Sequence, residues 1–120
     1  MAKKLLIPLH GNDVAPRFDL ATEVLIVSID KKGDNMEEKM VVLSHASAEK
    51  LCHIILTEGI KAVICGGIEE EYYQYLTWKR VDIIDSVIGP YSAVLKRFNE
   101  GALKTGDILY EPKNNGKDRP

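Results

Sequence analysis

The chain has 120 residues, of which 45% are hydrophobic and 28% charged, and its formal net charge is −2. This length is enough for one domain with a buried core, and no segment is basic enough to indicate a nucleic-acid surface. The apolar stretch over residues 5–9 is too short for a signal peptide or a membrane span. We therefore expect a cytoplasmic protein with neither nucleic acid nor a membrane among its partners.

The first half of the chain predicts three strands. A short apolar run over 4–9 indicates the first strand, and a loop rich in turn residues follows over 10–19. The run over 22–30 is apolar on both faces, which is typical of a strand that is covered from both sides. A polar hairpin loop over 31–35 leads to a third strand over 36–43, which should pair antiparallel with the second.

The second half alternates between apolar stripes at helical spacing and short apolar runs that are typical of strands. In chain order we predict a helix capped by Ser44 or Ser47 and ended by Gly59, a strand over 61–65, a helix over 68–76, a strand over 80–84, and a helix that begins at Gly89-Pro90 and ends at Gly101.

The predicted order is β-β-β-α-β-α-β-α. A hairpin followed by βα units predicts an α/β fold in three layers, with a mixed five-stranded sheet and helices on both of its faces. The domain should span residues 1–111. Residues 112–120 are polar and lack an apolar anchor, so they are expected to form a disordered tail.

The turn Cys65-Gly66-Gly67 stands between a predicted strand and a predicted helix. Ligands of open α/β sheets bind at the carboxyl ends of strands, which makes Cys65 a candidate thiolate ligand. The alternative is a buried cysteine that behaves as a small hydrophobe. The turn matches neither the dinucleotide fingerprint nor the P-loop, and the three glutamates after it disfavour a bound phosphate.

Two further candidates lie in the loop over 10–19. His10 is expected at the carboxyl end of the first strand, as a metal ligand or as an ordinary loop histidine. Arg17 is suited to neutralise an anionic group with its fork of donors, and its alternative is a surface arginine in a turn. Phe18 should anchor this loop on the core, and Cys52 should fill the core beneath the first helix.

Three motifs together carry a resemblance to a known family. They are Val14-Ala15-Pro16-Arg17-Phe18 followed by Ala21, the segment 59–68 around the Cys65-Gly66-Gly67 turn, and Val87-Ile88-Gly89 followed by Gly101-Ala102-Leu103. In this order the motifs resemble the dinitrogenase iron-molybdenum cofactor biosynthesis family, which contains NifX, NafY and the C-terminal part of NifB.

The resemblance implies a small α/β domain of ribonuclease H-like topology, without catalytic activity of its own. It implies that the chain binds, carries or helps to insert the iron-molybdenum cofactor or an iron–sulfur precursor. The expected cofactor site consists of His10, Arg17, Cys65, Gly66 and Gly67, with His10 and Cys65 as metal ligands. The expected partners are the metal–sulfur cluster and a cluster-assembly protein.

The chain departs from the family pattern at three places. Asp19 and Glu69 stand where glycines are usual, and Arg17 stands where some members have a histidine. Iron–sulfur clusters normally take four thiolates, but this chain offers only Cys65 in a suitable position. A firmly held cluster would therefore need a homodimer, several ligands other than cysteine, or a ligand from a partner, and transient binding fits a single chain better.

Two other functions remain open from the residues. One is an interaction module without a ligand, which uses the aromatic residues of the second helix, Tyr72, Tyr73, Tyr75 and Trp78. The other is a nuclease of the ribonuclease H type with carboxylate-held Mg²⁺. The first strand carries no acid, which disfavours the nuclease, and the remaining candidates lie in loops or at strand ends: Asp13, Asp30, Asp82 and Asp85.

Overall fold

A computed structural model describes residues 3–30 and 35–109, and its strands and α-helices follow the predicted order with one addition. The elements are β1 (Lys3–His10), β2 (Asp13–Val14), a 3₁₀ turn (Phe18–Leu20), β3 (Glu23–Ile29), β4 (Met36–Val42), α1 (Ala48–Thr57), β5 (Ala62–Ile64), α2 (Glu70–Trp78), β6 (Asp82–Ile84) and α3 (Tyr91–Asn99). The addition is β2. The predicted tail over 112–120, the domain end at 111 and most of the hairpin loop lie outside the described residues.

The strands form one mixed sheet in the order β4-β3-β1-β5-β6, with β2 paired to the end of β1. β3 runs antiparallel to both β1 and β4, whereas β5 and β6 run parallel to β1. The mixed sheet is thus confirmed, but it has six strands instead of five. Its likeness to ribonuclease H stays a prediction.

Helices cover both faces of the sheet, as predicted. On one face, Leu51 and Ile55 of α1 and Leu76 of α2 are fully buried in a cluster with residues of the central strands. On the other face, Val94 and Leu95 of α3 pack against the opposite side of the same strands. β1 is therefore covered on both sides, which explains its continuous apolar sequence.

The ends of α1 follow the predicted signals. The Ser47 hydroxyl accepts a hydrogen bond of 3.1 Å from the backbone N–H of Lys50, so Ser47 is the cap and Ser44 is not. Gly59 follows the helix with φ of +71°, a conformation that favours glycine. In the part of the chain that the structure describes, no helix has the length and apolar character needed to cross a membrane.

The three parallel strands β1, β5 and β6 bring their carboxyl ends to one edge of the sheet. His10 is the last residue of β1, the Cys65-Gly66-Gly67 turn follows β5, and Asp85 follows β6. This is the edge at which ligands bind in open α/β sheets. The fold therefore places the loop over 10–19 and the glycine turn side by side.

Candidate functional site

The loop after β1 is bonded to the glycine turn through its backbone. The N–H of Gly67 donates to the carbonyl oxygen of Pro16 at 2.7 Å, and the N–H of Phe18 donates to the carbonyl oxygen of Gly67 at 2.8 Å. The Phe18 ring is fully buried, as expected of a residue that anchors the loop. Residues 16–18 therefore lie along one side of the sheet edge where the carboxyl ends of β1, β5 and β6 meet.

Gly66 is required for this contact by its lack of a side chain. A Cβ atom on Gly66 would lie 2.4 Å from the carbonyl oxygen of Ala15 and 2.6 Å from that of Pro16. Both atoms belong to the backbone, so neither can move aside as a flexible side chain can. The glycine thus lets the loop approach the turn closely.

The segment after β6 closes the same edge from the other side. The N–H of Ser86 donates to the carbonyl oxygen of Gly66 at 2.9 Å, and that of Val87 donates to the carbonyl oxygen of Cys65 at 3.1 Å. Ser86 adopts φ of +59°, which is uncommon for a residue with a side chain. The N–H of Val14 in β2 donates to the carbonyl oxygen of Gly89 at 2.9 Å, which joins the segment after β6 to the loop after β1.

These three segments enclose a cleft of about 410 Å³. Its walls are formed by His10, Asp13, Val14, Pro16, Gly66, Gly67, Ser86, Val87, Ile88 and Gly89. A second hollow of about 310 Å³, on the other side of Pro16, is lined in part by His10 and Arg17. Of the predicted site residues, His10, Gly66 and Gly67 therefore line the cleft, Arg17 lies in the adjoining hollow, and Cys65 lines neither.

Cys65 lies beneath the site, with its side chain in the core. It is fully buried in the cluster that also contains Leu6, Phe18 and Val63. Burial, followed by the negative charge of Asp85, raises the pKa of the Cys65 thiol to about 12. The thiol therefore keeps its proton at neutral pH and lies out of reach of the cleft while the turn is closed. Its predicted role as a ligand stays a prediction that requires the turn to open.

The buried thiol should make stability depend on pH in the alkaline range. The pKa of Cys65 rises from 9.0 to about 12 on folding, so between these values the unfolded chain releases a proton that the folded chain keeps. The contribution of Cys65 to stability is then full well below pH 9 and falls by up to about 1.4 kcal/mol per pH unit above it, and Cys52, whose pKa burial raises to about 11, adds a decrease of its own. Urea unfolding at pH 8, 9 and 10 should show this slope, and Cys65→Ala should reduce it. Identical slopes in both chains would contradict the assignment.

Arg17 is already paired with two carboxylates. Its Nε and a terminal nitrogen donate to the two carboxylate oxygens of Asp19, at 3.0 and 2.9 Å, and Glu69 lies 3.6 Å away. The hydrogen bonds that Arg17 donates to Asp19, together with the negative charge of that carboxylate, raise the pKa of Arg17. Asp19 and Glu69 are two of the positions at which the chain departs from the family pattern. An anion that binds at Arg17 must therefore compete with both of them.

Sequence reasoning missed the contributions of β2 and of the segment after β6. Asp13, Ser86 and Ile88 line the cleft, but the predicted cofactor site contains none of them. The sequence contains a signal for the segment after β6, because the Val87-Ile88-Gly89 motif follows the third parallel strand. Ligands of open α/β sheets bind at the carboxyl ends of such strands. Among residues 3–30 and 35–109, no three side chains of His, Cys, Asp or Glu come together as a metal site.

Comparison with known proteins gives one family and several similar structures. The family model described as dinitrogenase iron-molybdenum cofactor matches residues 2–101. The crystal structure of a protein designated PH0822 has a TM-score of 0.76 at 24% identity, covering 85% of this chain and 93% of the other. The structure of MJ0327, a Methanocaldococcus jannaschii protein provisionally named a dinitrogenase, has a TM-score of 0.70 at 24% identity. It covers 87% of this chain and 94% of the other.

A third solved structure is that of a Thermotoga protein, TM1290, provisionally named a NifB protein of the DUF35 family. Its TM-score is 0.61 at 20% identity, covering 88% of this chain and 93% of the other. At these identities the structures show a shared fold. No functionally curated protein shows significant similarity to the chain.

Proposed function

The chain belongs to the dinitrogenase iron-molybdenum cofactor family, and we propose that it binds the iron-molybdenum cofactor or an iron–sulfur precursor as a transient cargo, without catalysing a reaction. Membership relates the chain to nitrogenase cofactor biosynthesis. The proposed site is the cleft between the loop over 10–19 and the glycine turn. The observation that carries the proposal is the exposed His10 at the mouth of this cleft.

A single imidazole suits a cargo better than a resident cluster. Imidazole binds iron and other transition metals, and His10 stands at the end of β1 where the cleft opens. Resident iron–sulfur clusters normally take four thiolates, whereas this chain has two cysteines and both are buried. The remaining ligands would come from the cargo itself, from a cluster-assembly protein or from a second copy of the chain.

The other predicted residues have narrower roles in this proposal. Gly66 and Gly67 form a wall without side chains, which lets a bulky cluster approach the backbone. The half-exposed Arg17 meets an anionic cargo only by releasing Asp19 or Glu69. Cys65 contributes only if the turn opens, so His10 is the first contact.

Anaerobic titration of the metal-free protein with extracted iron-molybdenum cofactor tests the proposal. We expect saturable binding, measured as absorption and as molybdenum retained after gel filtration. His10→Ala should weaken it tenfold or more, because even changes to residues that support a ligand lower metal affinity by about 10- to 100-fold. His45→Ala, which changes an exposed histidine away from the cleft, is the matched control and should bind as the parent does.

Two results would contradict the proposal: no binding by the parent chain, or equal binding by the parent and His10→Ala. Cys65→Ala and Arg17→Ala complete the series. Weaker cofactor binding by Cys65→Ala, together with full binding by His10→Ala, would mean that the site is at the buried thiol and not in the cleft. A loss in Arg17→Ala would add the adjoining hollow to the site.

A second function, that of an interaction module, is favoured by one observation. Three aromatic residues of α2 are exposed, with Tyr73 at 36%, Tyr75 at 39% and Trp78 at 73%. Aromatic residues are enriched in the centres of protein interfaces. Association of the metal-free chain with itself or with an assembly protein, seen by sedimentation, would favour this function over cluster binding.

A further inference from the structure

A groove of about 650 Å³ runs between α1 and α2, on the face of the sheet that these helices cover. It is separate from the cleft at the strand ends and shares no residue with it. Glu49 lines it from α1, and Glu71, Tyr72, Tyr75 and Trp78 line it from α2.

The floor and one end of the groove are aromatic. The rings of Tyr75 and Trp78 pack at a tilt, with their centroids 6.5 Å apart. The Nζ atom of Lys79 lies 4.8 Å from the centroid of the Trp78 ring and 5.8 Å from that of Tyr75. Aromatic faces attract cations, and the ammonium of Lys79 already occupies this position, so a cation from a partner must displace Lys79 to reach the two rings.

The charge of the groove is negative. Glu49 and Glu71 contribute carboxylates from the two facing helices, whereas Lys79 brings a positive charge to the aromatic end. The pKa of Tyr72 between them is raised, first by burial and then by the charges of Glu71, Glu49 and Glu69. Two carboxylates beside aromatic rings are complementary to a cation that is partly desolvated.

We propose that this groove binds a basic segment of a partner protein, with an arginine or lysine side chain placed between Glu49 and Glu71 and against the rings of Tyr75 and Trp78, where it takes the place of Lys79. The groove extends along about two turns of each helix, roughly 10 Å, which is long enough for several residues of a peptide. Exposed tyrosine and tryptophan in such a groove are the residues that most frequently carry binding energy at protein interfaces. The occupant is thus recognised by charge and by aromatic contact.

Trp78 is the only tryptophan of the chain, so its fluorescence reports on the groove. The probe is blocked tetra-arginine, titrated into the metal-free full chain at low salt, with blocked tetra-glutamate as the charge control. We expect a saturable change with tetra-arginine only. Glu49→Gln and Glu71→Gln should each weaken binding about threefold, within the range for exposed ion pairs. Glu100→Gln removes an exposed carboxylate just beyond α3, on the opposite face of the sheet, and should leave binding unchanged.

Three results would overturn the proposal. Equal weakening by Glu71→Gln and Glu100→Gln would mean that only net charge attracts the probe. An equal response to tetra-glutamate would exclude charge recognition, and equal affinity for blocked single arginine would indicate a small-molecule pocket. His10→Ala should bind tetra-arginine as the parent does, so failure here is distinguishable from failure of cluster binding.

Discussion

Replacement of Gly66 by alanine is expected to lower the free energy of unfolding by about 3 kcal/mol, the upper end of what overpacking a close-packed site costs. The added methyl group would lie 2.4 Å from the carbonyl oxygen of Ala15, well inside van der Waals contact. Relief requires the loop over 10–19 to move away from the turn. Such a movement breaks the hydrogen bonds of 2.7 and 2.8 Å that join Gly67 to Pro16 and Phe18.

Urea unfolding followed by circular dichroism measures this loss, and Gly67→Ala is the matched control. A Cβ atom on Gly67 would lie 3.4 Å from the carbonyl oxygen of Pro16, an ordinary contact. Gly67→Ala should lower the free energy of unfolding by no more than about 1 kcal/mol, as for most substitutions that meet no clash. Similar losses in the two variants would show that the close approach at Gly66 is not what constrains the turn.

The layers and most elements of this fold could be predicted because hydrophobic periodicity records burial directly. The apolar run of β3 and the stripe of α1 mark elements that the core covers. Ser47 and Gly59 marked the ends of α1 through local backbone chemistry. β2 could not be predicted, because it has only two residues, Asp13 and Val14, which are too few to show a periodicity. They pair with the end of β1 only because the chain reverses direction after His10.

The site was harder to predict because it depends on side-chain direction and on contacts between distant segments. The carboxyl-end rule located Cys65 correctly but did not say which way its thiol points. Side chains alternate along a strand, so Cys65 shares the face of the buried Val63, whereas Ile64 faces the other core. That alternation was present in the sequence and already favoured a buried thiol.

The pairing of Arg17 with Glu69 had no comparable local signal. The two residues belong to different segments, which meet only when the loop docks on the turn after β5. Asp19 lies close in the chain, but its bidentate contact depends on the 3₁₀ turn that follows Arg17. The departures from the family pattern therefore acquire a physical meaning only in the folded chain, as carboxylates that neutralise one arginine.

Phe18→Ala is expected to have an effect as large or larger, about 3–5 kcal/mol, because it empties a fully buried ring position. The Phe18 ring lies 6.4 Å from that of Tyr72, centroid to centroid, and belongs to the same buried cluster as Cys65. The variant loses the buried ring that anchors the loop over 10–19. It also loses part of the packing around the Cys65 thiol. Leu20→Ala, at the end of the 3₁₀ turn and 64% exposed, should change stability by no more than about 0.5 kcal/mol.

Thiol labelling under native conditions separates loss of the loop from loss of the whole fold. In a Cys52→Ala background only Cys65 can react, and reaction requires both exposure and ionisation. If Phe18 holds the loop over the turn, Phe18→Ala should label much faster than the parent at urea concentrations where circular dichroism is unchanged. Labelling that rises only with global unfolding would mean that the loop is held without this ring. The turn would then open only with the fold, and Cys65 would have no route to a cluster.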